Sequence, residues 1–403
     1  MFCLWLGLAL GGAACRRLPF IRQRGPVTMR EVPAARLAFK FQPDNNPPQK
    51  ALAADNNALL PVIKAAFDNN RREQLLARTV LSPDGQRALA IYATAEEQNN
   101  EYRVDMFSAD GNFLRNVTPP SLAVVFPDYV DWSPDGQRIV FLARQSSSQS
   151  NAKNPDSAPT PPDLGTSETP LPGLNGTPDT GATPNNGPVF APVPTFATEQ
   201  VYLCDRDGYN MKSLTNRNGL IYFFAGWAPD SHALAALACR EDEWSNRERA
   251  GRPPAGRPRL LAPDGQEIIL SDALVEAFPV WSPDSAKVAV GFDTEIEIYD
   301  AATATPTRAR LSLRQQLWQS SITIDQKTFQ QGNTNSNANA NAVPIAAPDT
   351  PPASFQPFVR LLWPDPTTLY GQTAFVRLYA NGPVNNFPRW HLLALSPQAN
   401  AVR

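Results

Sequence analysis

His232 and His391 are the only two imidazoles among 403 residues. Histidine is the side chain best suited to move protons near neutrality or to hold a transition metal, so these two come first. Neither has another histidine or a cysteine at ligand spacing. His232 stands in the turn-like stretch "APDSH", and His391 follows Trp390 at the head of an apolar run. Both read as structural residues, and the sequence implies no metal and no cofactor. "DRDGYN" (Asp205 to Asn210) opens like a calcium loop but lacks the later glutamate. No Gly-x-Ser-x-Gly elbow is present for acyl transfer, and no glycine pattern is present to cradle phosphate. Cys204 and Cys239 fall on two separate apolar runs, where they would form either a disulfide or two buried thiols.

One carboxylate recurs. Asp84, Asp135, Asp230, Asp284 and Asp365 each follow a proline, in "LSPDGQRALAIYA" (Leu81 to Ala93), "WSPDGQRIVFLA" (Trp132 to Ala143), "WAPDSHALAALA" (Trp227 to Ala238), "WSPDSAKVAVGF" (Trp281 to Phe292) and the decayed "WPDPTTLYGQTAF" (Trp363 to Phe375). An acid at one place in five repeats is a part that every repeat needs, so it reads as structural rather than catalytic. Proline presets φ for a tight turn, aspartate accepts backbone N–H groups, and a following glycine tolerates the left-handed closure. The apolar, partly β-branched run after it reads as a strand. Trp132, Trp227, Trp281 and Trp363 hold equivalent places before the turn and are expected to pack between neighbouring sheets.

The aspartates are separated by 51, 95, 54 and 81 residues. The two long gaps each contain a low-complexity insert; without them the spacing falls to roughly 40–54 residues, the period of propeller blades. A second turn lies inside each unit, as in "VDMFSADGNFLRNVT" (Val104 to Thr118) and "VYLCDRDGYNMKSLT" (Val201 to Thr215). Each unit therefore holds four antiparallel strands, and the fold class is an all-β propeller of five or six four-stranded blades, six favoured. "ARLAFKF" reads as a strand able to complete the C-terminal blade, and "NNALLPVIKAAFDNN" as a short helix with Pro61 in its first turns. "SSITIDQ" (Ser320 to Gln326) is a candidate remnant of a sixth blade.

"WSPDGQRIVF", "WAPDSHALAA" and "WSPDSAKVAV", followed by "FSADG" or "YLCDRDG", resemble the repeats of TolB-like (WD-repeat-like) propellers of the bacterial envelope. The resemblance covers about residues 75–145, 197–312 and 356–403. It implies the fold; families with this blade include scaffolds, propeller lids of peptidases and a few lyases, so it does not imply one function.

Net charge is −2, which removes the electrostatic footprint of a nucleic-acid binder. The mixed-charge run "REDEWSNRERAGRPPAGRPR" reads as a solvated loop. Residues 146–192 and 330–354 are rich in Pro, Ser, Thr, Asn and Gly, too poor in apolar surface to offset ordering entropy, and read as disordered inserts. The opening "MFCLWLGLALGGAAC" is an apolar run too short to span a bilayer, ending in small residues before Cys15. "GGAAC" resembles a lipoprotein cleavage box, with Cys15 as the lipidated residue. The expected organisation is a signal (1–15), a tether and closing segment (16–70), and a propeller (71–403). The expected function is a non-catalytic, envelope-associated, monomeric scaffold whose partner is a protein or peptide, or a glycan, with membrane contact through the lipid. The alternatives are a propeller enzyme acting on polysaccharide or peptide, and a cytoplasmic scaffold.

Overall fold

A computed structural model describes residues 28–52, 59–94, 100–147, 193–301, 306–324, 353–378 and 385–398. Two 3-10 turns, η1 (Met29–Glu31) and η2 (Ala34–Arg36), lead into β1 (Leu37–Gln42), followed by α1 (Gln49–Leu52) and α2 (Pro61–Asn70). The first sheet is β2 (Gln74–Leu81), β3 (Arg87–Thr94), β4 (Arg103–Ser108) and β5 (Phe113–Asn116). The second runs from β6 (Leu122–Val124) through η3 (Pro127–Tyr129) to β7 (Asp131–Trp132), β8 (Arg138–Gln145), β9 (Gln200–Asp205) and β10 (Lys212–Ser213). The third holds β11 (Leu220–Trp227), β12 (Leu234–Arg240), β13 (Arg257–Leu261) and β14 (Glu267–Ile269), with α3 (Glu241–Arg249) between its middle strands. The fourth is β15 (Val280–Trp281), β16 (Lys287–Gly291), β17 (Glu295–Asp300) and β18 (Arg308–Ser312). The fifth is β19 (Ala353–Phe355), β20 (Phe358–Asp365), β21 (Thr368–Leu378) and β22 (Asn385–Pro397).

Within each sheet the strands are antiparallel meanders in chain order. The fifth is completed by β1, which pairs with β22 from Leu37↔Pro397 to Gln42↔Leu392. This is a β-propeller built from four-stranded antiparallel sheets, the last of them completed by a strand from the front of the chain.

Sheet-on-sheet packing explains why "RIVFLA" is a continuous apolar run rather than an alternating one. On β8, Ile139, Phe141 and Ala143 face the first sheet, while Val140 and Leu142 face the third. Both faces are buried, so both sets must be apolar. Leu237 and Cys239 on β12 meet Val288 and Val290 on β16 in the same manner, and Ile296 and Ile298 on β17 meet Leu361 and Leu393. The remaining face of the first sheet is covered by α2, whose Ile63 and Phe67 bury against Ala88, Ala90 and Phe107.

Three expectations are corrected. Residues 314–324 are helical, so the start of "SSITIDQ" is no blade remnant; five sheets are present among the described residues. The mixed-charge run contains α3, whose Glu243 carboxylate accepts the Arg240 N–H at 2.9 Å and both Arg257 guanidinium arms at 2.7 Å. At the insert boundaries, Ser146 is fully buried with its Oγ 3.3 Å from Glu101, and Ala353 and Ser354 pair with Leu378 and Arg377. The rest of both inserts, and Cys15, lie outside the described residues.

Candidate functional site

The five aspartates sit on the tight turns that lead into β3, β8, β12, β16 and β21. Asp84 accepts Ser82 Oγ (2.6 Å) and Gln86 N–H (3.1 Å), Asp135 accepts Ser133 Oγ (2.5 Å) and Gln137 N–H (3.0 Å), and Asp284 accepts Ser282 Oγ (2.6 Å) and Ala286 N–H (3.1 Å). Asp230 accepts His232 N–H (3.2 Å), and Asp365 accepts Thr367 N–H (2.9 Å). The hydrogen bond from Ser82 holds the Asp84 carboxyl below the usual range; at Asp135 burial works the other way, but Ser133 and Gln137 prevail. Each carboxylate serves its own turn, and Asp84 also pairs with Arg206 at 3.0 Å. The tryptophans lie between sheets: Trp132 Nε1 donates to Val80 O (3.2 Å) on β2, and Trp281 Nε1 to Gly226 O (3.1 Å) on β11. Trp227 and Trp363 pack at the next interfaces.

His232 is half exposed on its turn and paired with Asp230. His391 is fully buried on β22. Its Nε2 lies 2.9 Å from Thr373 Oγ1, and its Nδ1 accepts the Asp44 N–H at 3.4 Å. Both ring nitrogens are engaged, which fixes a neutral ring and leaves no lone pair for a substrate. Burial, with Arg389 nearby, pushes its pKa down to about 4, against the opposing pull of Asp44. Cys204 and Cys239 are free and buried in different sheet interfaces. In "DRDGYN" the Asp205 carboxylate accepts Asp207 N–H (2.9 Å), Tyr209 N–H (2.8 Å) and Asn210 Nδ2 (2.7 Å), so it closes a turn. Among the described residues no group of three or more His, Cys, Asp or Glu side chains could hold a metal ion.

A different set of residues converges on the inner wall, which is formed by the first strand of each sheet. Counting back three residues from the five turn positions Leu81, Trp132, Trp227, Trp281 and Trp363 gives Arg78, Tyr129, Phe224, Phe278 and Arg360. The regular ladder is interrupted beside this position in four sheets. The register slips between Leu76 and Arg78, between Tyr222 and Phe224, and between Phe358 and Arg360, and in the second sheet η3 replaces the strand. Bulges re-aim side chains, and here they build a collar. Phe224 and Phe278 stack at 4.7 Å, and Tyr129 meets them edge-on at 5.3 and 5.7 Å. The Arg78 guanidinium reaches across from the first sheet to the carbonyls of Pro127 (3.2 Å), Asp128 (2.9 Å) and Val130 (2.9 Å).

Beside the collar, Asp131 on β7 is solvent-accessible yet crowded by protein. That crowding raises its carboxyl above the usual carboxylate range, against the Trp132 N–H bond at 2.8 Å and the charge of Arg78. Burial and the neighbouring Asp128 carboxylate push the Tyr129 phenol up to about 12. A carboxyl raised in this way, next to a guanidinium and an aromatic wall, is a candidate for general acid–base chemistry that needs no histidine. A sequence reading that starts from histidines and repeated aspartates misses this site. Its signal is the opposite one, a single repeat position whose residue type varies while its surroundings do not.

No protein-family model and no curated protein matches the chain. Among solved structures it is similar to an oligogalacturonate lyase in complex with manganese (12% identity over 79% of this chain and 65% of that one, TM-score 0.36). It is also similar to prolyl oligopeptidase B from Galerina marginata (7%, 80% and 36%, 0.39) and to the AtxE2 isopeptidase (12%, 91% and 48%, 0.25). The chain spans less than two thirds of the length of each of these proteins. All three of those proteins are enzymes, which runs against the expectation of a non-catalytic scaffold without enzymatic activity; at these identities the likeness itself is one of fold.

Proposed function

We propose that this chain is a propeller enzyme acting on a polysaccharide or peptide substrate drawn against the inner wall. The carrying observation is Asp131, a carboxyl raised by its surroundings, beside Arg78 and within the ring of aromatic side chains. Asp131 would hold and deliver a proton, Arg78 would stabilise negative charge as it develops, and the collar would position the substrate. The test is product formation from a panel of polysaccharides and peptides, followed by mass spectrometry. Asp131→Asn keeps the shape and removes the titrating group, and is expected to lower turnover by about 100-fold or more. No turnover by the unaltered protein, or full turnover by Asp131→Asn, overturns the reading.

The repeat is of the TolB-like kind on the strength of its Trp-Ser-Pro-Asp motifs, and the "GGAAC" stretch supports export with lipidation at Cys15. The protein would then work in the cell envelope, held by lipid. Among the described residues no helix is long and apolar enough to cross a membrane.

A further inference from the structure

The "DRDGYN" turn between β9 and β10 does more than close on Asp205. It lies against β5, the edge strand of the first sheet, and a groove of about 780 Å³ lies along this seam. Gly208, with φ of 76°, lets the turn pass so near β5 that a Cβ there would stand 3.3 Å from Val117 and 3.4 Å from Arg115. β5 and β10 are the last strands of their sheets, so the groove is on the outer rim, away from the inner wall. An apolar strip of Val117, Pro119, Pro120 and Met211 lines it, with the 41% exposed Tyr209. Two arginines also line it and, among the described residues, no carboxylate does.

The two arginines differ. Arg103 donates to the carbonyls of Pro119 (3.0 Å) and Leu122 (2.7 Å), so it holds the wall. Arg115 lies over the Tyr209 ring, 3.2 Å from its centroid, and donates from Nη1 to Asp207 O at 3.0 Å. Its Nε is buried without an acceptor, and among the described residues Nη2 has no acceptor and no carboxylate pairs with the group. Stacking on the ring orients the guanidinium and leaves its edge for a planar carboxylate. β5 adds a backbone group. The Val117 N–H donates to Val104 O at 2.8 Å, and Asp105↔Asn116 is the next pair of the ladder. Bonded and non-bonded pairs alternate in an antiparallel ladder, so Asn116, which lines the groove, turns its N–H and C=O away from β4. We infer that this groove binds an extended acidic peptide. Its main chain pairs with Asn116, its aspartate or glutamate reaches Arg115, and an apolar neighbour lies on Tyr209 and Met211. An acidic sugar or a free anion would answer Arg115 but not the amide pair of Asn116.

The inference is independent of the inner-wall reading, and binding rather than turnover tests it. The probe is a fluorescein-labelled octapeptide alternating glutamate with leucine, followed by fluorescence anisotropy. Its comparisons are the same peptide with glutamine for glutamate and the glutamate peptide N-methylated throughout. The glutamate peptide is expected to bind about tenfold tighter than the glutamine peptide, the value of one charge-assisted hydrogen bond, and about tenfold tighter than the N-methylated one. Arg115→Gln should bring the glutamate and glutamine peptides within about twofold. Because Arg115 also holds the Asp207 carbonyl, the unfolding midpoint of this variant is measured alongside; should it fail to fold, the three peptides on the unaltered protein decide. Equal affinity for the glutamate and glutamine peptides, a preference that survives Arg115→Gln, or undiminished binding after N-methylation overturns the inference. So does displacement of the probe by inorganic phosphate or by a glucuronate-containing tetrasaccharide at the concentration at which unlabelled peptide displaces it.

Discussion

At the residue scale, two serines show how the turns are joined. Ser231 and Ser285 occupy the places that Gly85 and Gly136 hold in the first two repeats, with φ of 64° and 60°. A side chain in the left-handed region costs about 1 kcal/mol. Here it is offset by a hydrogen bond between neighbouring turns, Asp135 N–H to Ser231 Oγ at 2.9 Å and Asp230 N–H to Ser285 Oγ at 3.0 Å. Ser231→Ala keeps the strain and loses the bond, so it should cost about 1 kcal/mol, and Ser231→Gly should cost less than Ser231→Ala because it also releases the strain. Urea midpoints of the two variants decide this, and the reverse order would refute it. His391 carries a pH signature. The folded ring stays neutral down to about 4, whereas an unfolded imidazole takes its proton near the ordinary 6.5. Between those values the unfolded chain binds the extra proton. The stabilisation is therefore complete above about 6.5 and is lost as the pH falls toward 4, by up to about 3 kcal/mol. His391→Gln should flatten that part of the stability curve, read from urea midpoints at pH 7 and pH 4.5.

At the scale of elements, α2 does what a sheet does elsewhere. It covers the open face of the first sheet through Ile63 and Phe67, both almost wholly buried, while Val62 on its other side is 47% exposed. Phe67→Ala should lower stability by about 3–5 kcal/mol and Val62→Ala by less than about 0.5 kcal/mol, measured calorimetrically. This helix and the closing strand were legible in the sequence, because Pro61 at a helix start and an isolated "LAFKF" are local signals. The turns were legible for the same reason. The helix at 314–324 was not. Ile322, Thr323 and Ile324 carry strand preference, yet Leu313, Leu317 and Ser321 recur every four residues and are all buried. The helical spacing prevails because the apolar face has the fourth and fifth sheets to bury against. In α3 the short-range signal was Glu243 reaching back to the Arg240 N–H, hidden within a run of mixed charge.

At the scale of the whole molecule, the architecture was written in repeated turns, but the site was not. No short motif spells the collar. Its members are scattered along the sequence, and Arg78, Tyr129, Phe224 and Phe278 come together only because neighbouring sheets pack side by side. The two ends of the propeller also differ. The turn face carries the aspartates and the incoming chain, since Arg30 donates to Asp284 O at 2.8 Å and the Ala34 N–H binds Asp300 at 3.0 Å. The opposite face carries α3, the helix at 314–324 and the roots of both inserts. If Cys15 is lipidated, the turn face looks toward the membrane and the insert-bearing face away from it. Cys15→Ser should then move the protein from membranes to the soluble fraction with its unfolding midpoint unchanged; retention on membranes would refute the anchor.

The closing strand has a mechanical consequence. β1 is held to β22 by six residue pairs, and the chain enters it from the turn face. A pull on residues ahead of 28 first meets Arg30 and the η2 contacts, and then runs along the axis of β1. A strand drawn lengthwise must slide past its partner with all of its rungs loaded together, whereas one peeled sideways gives up its rungs singly. Tension on the leading chain would therefore be resisted collectively, and β1 would leave the fifth sheet only when the whole ladder fails at once.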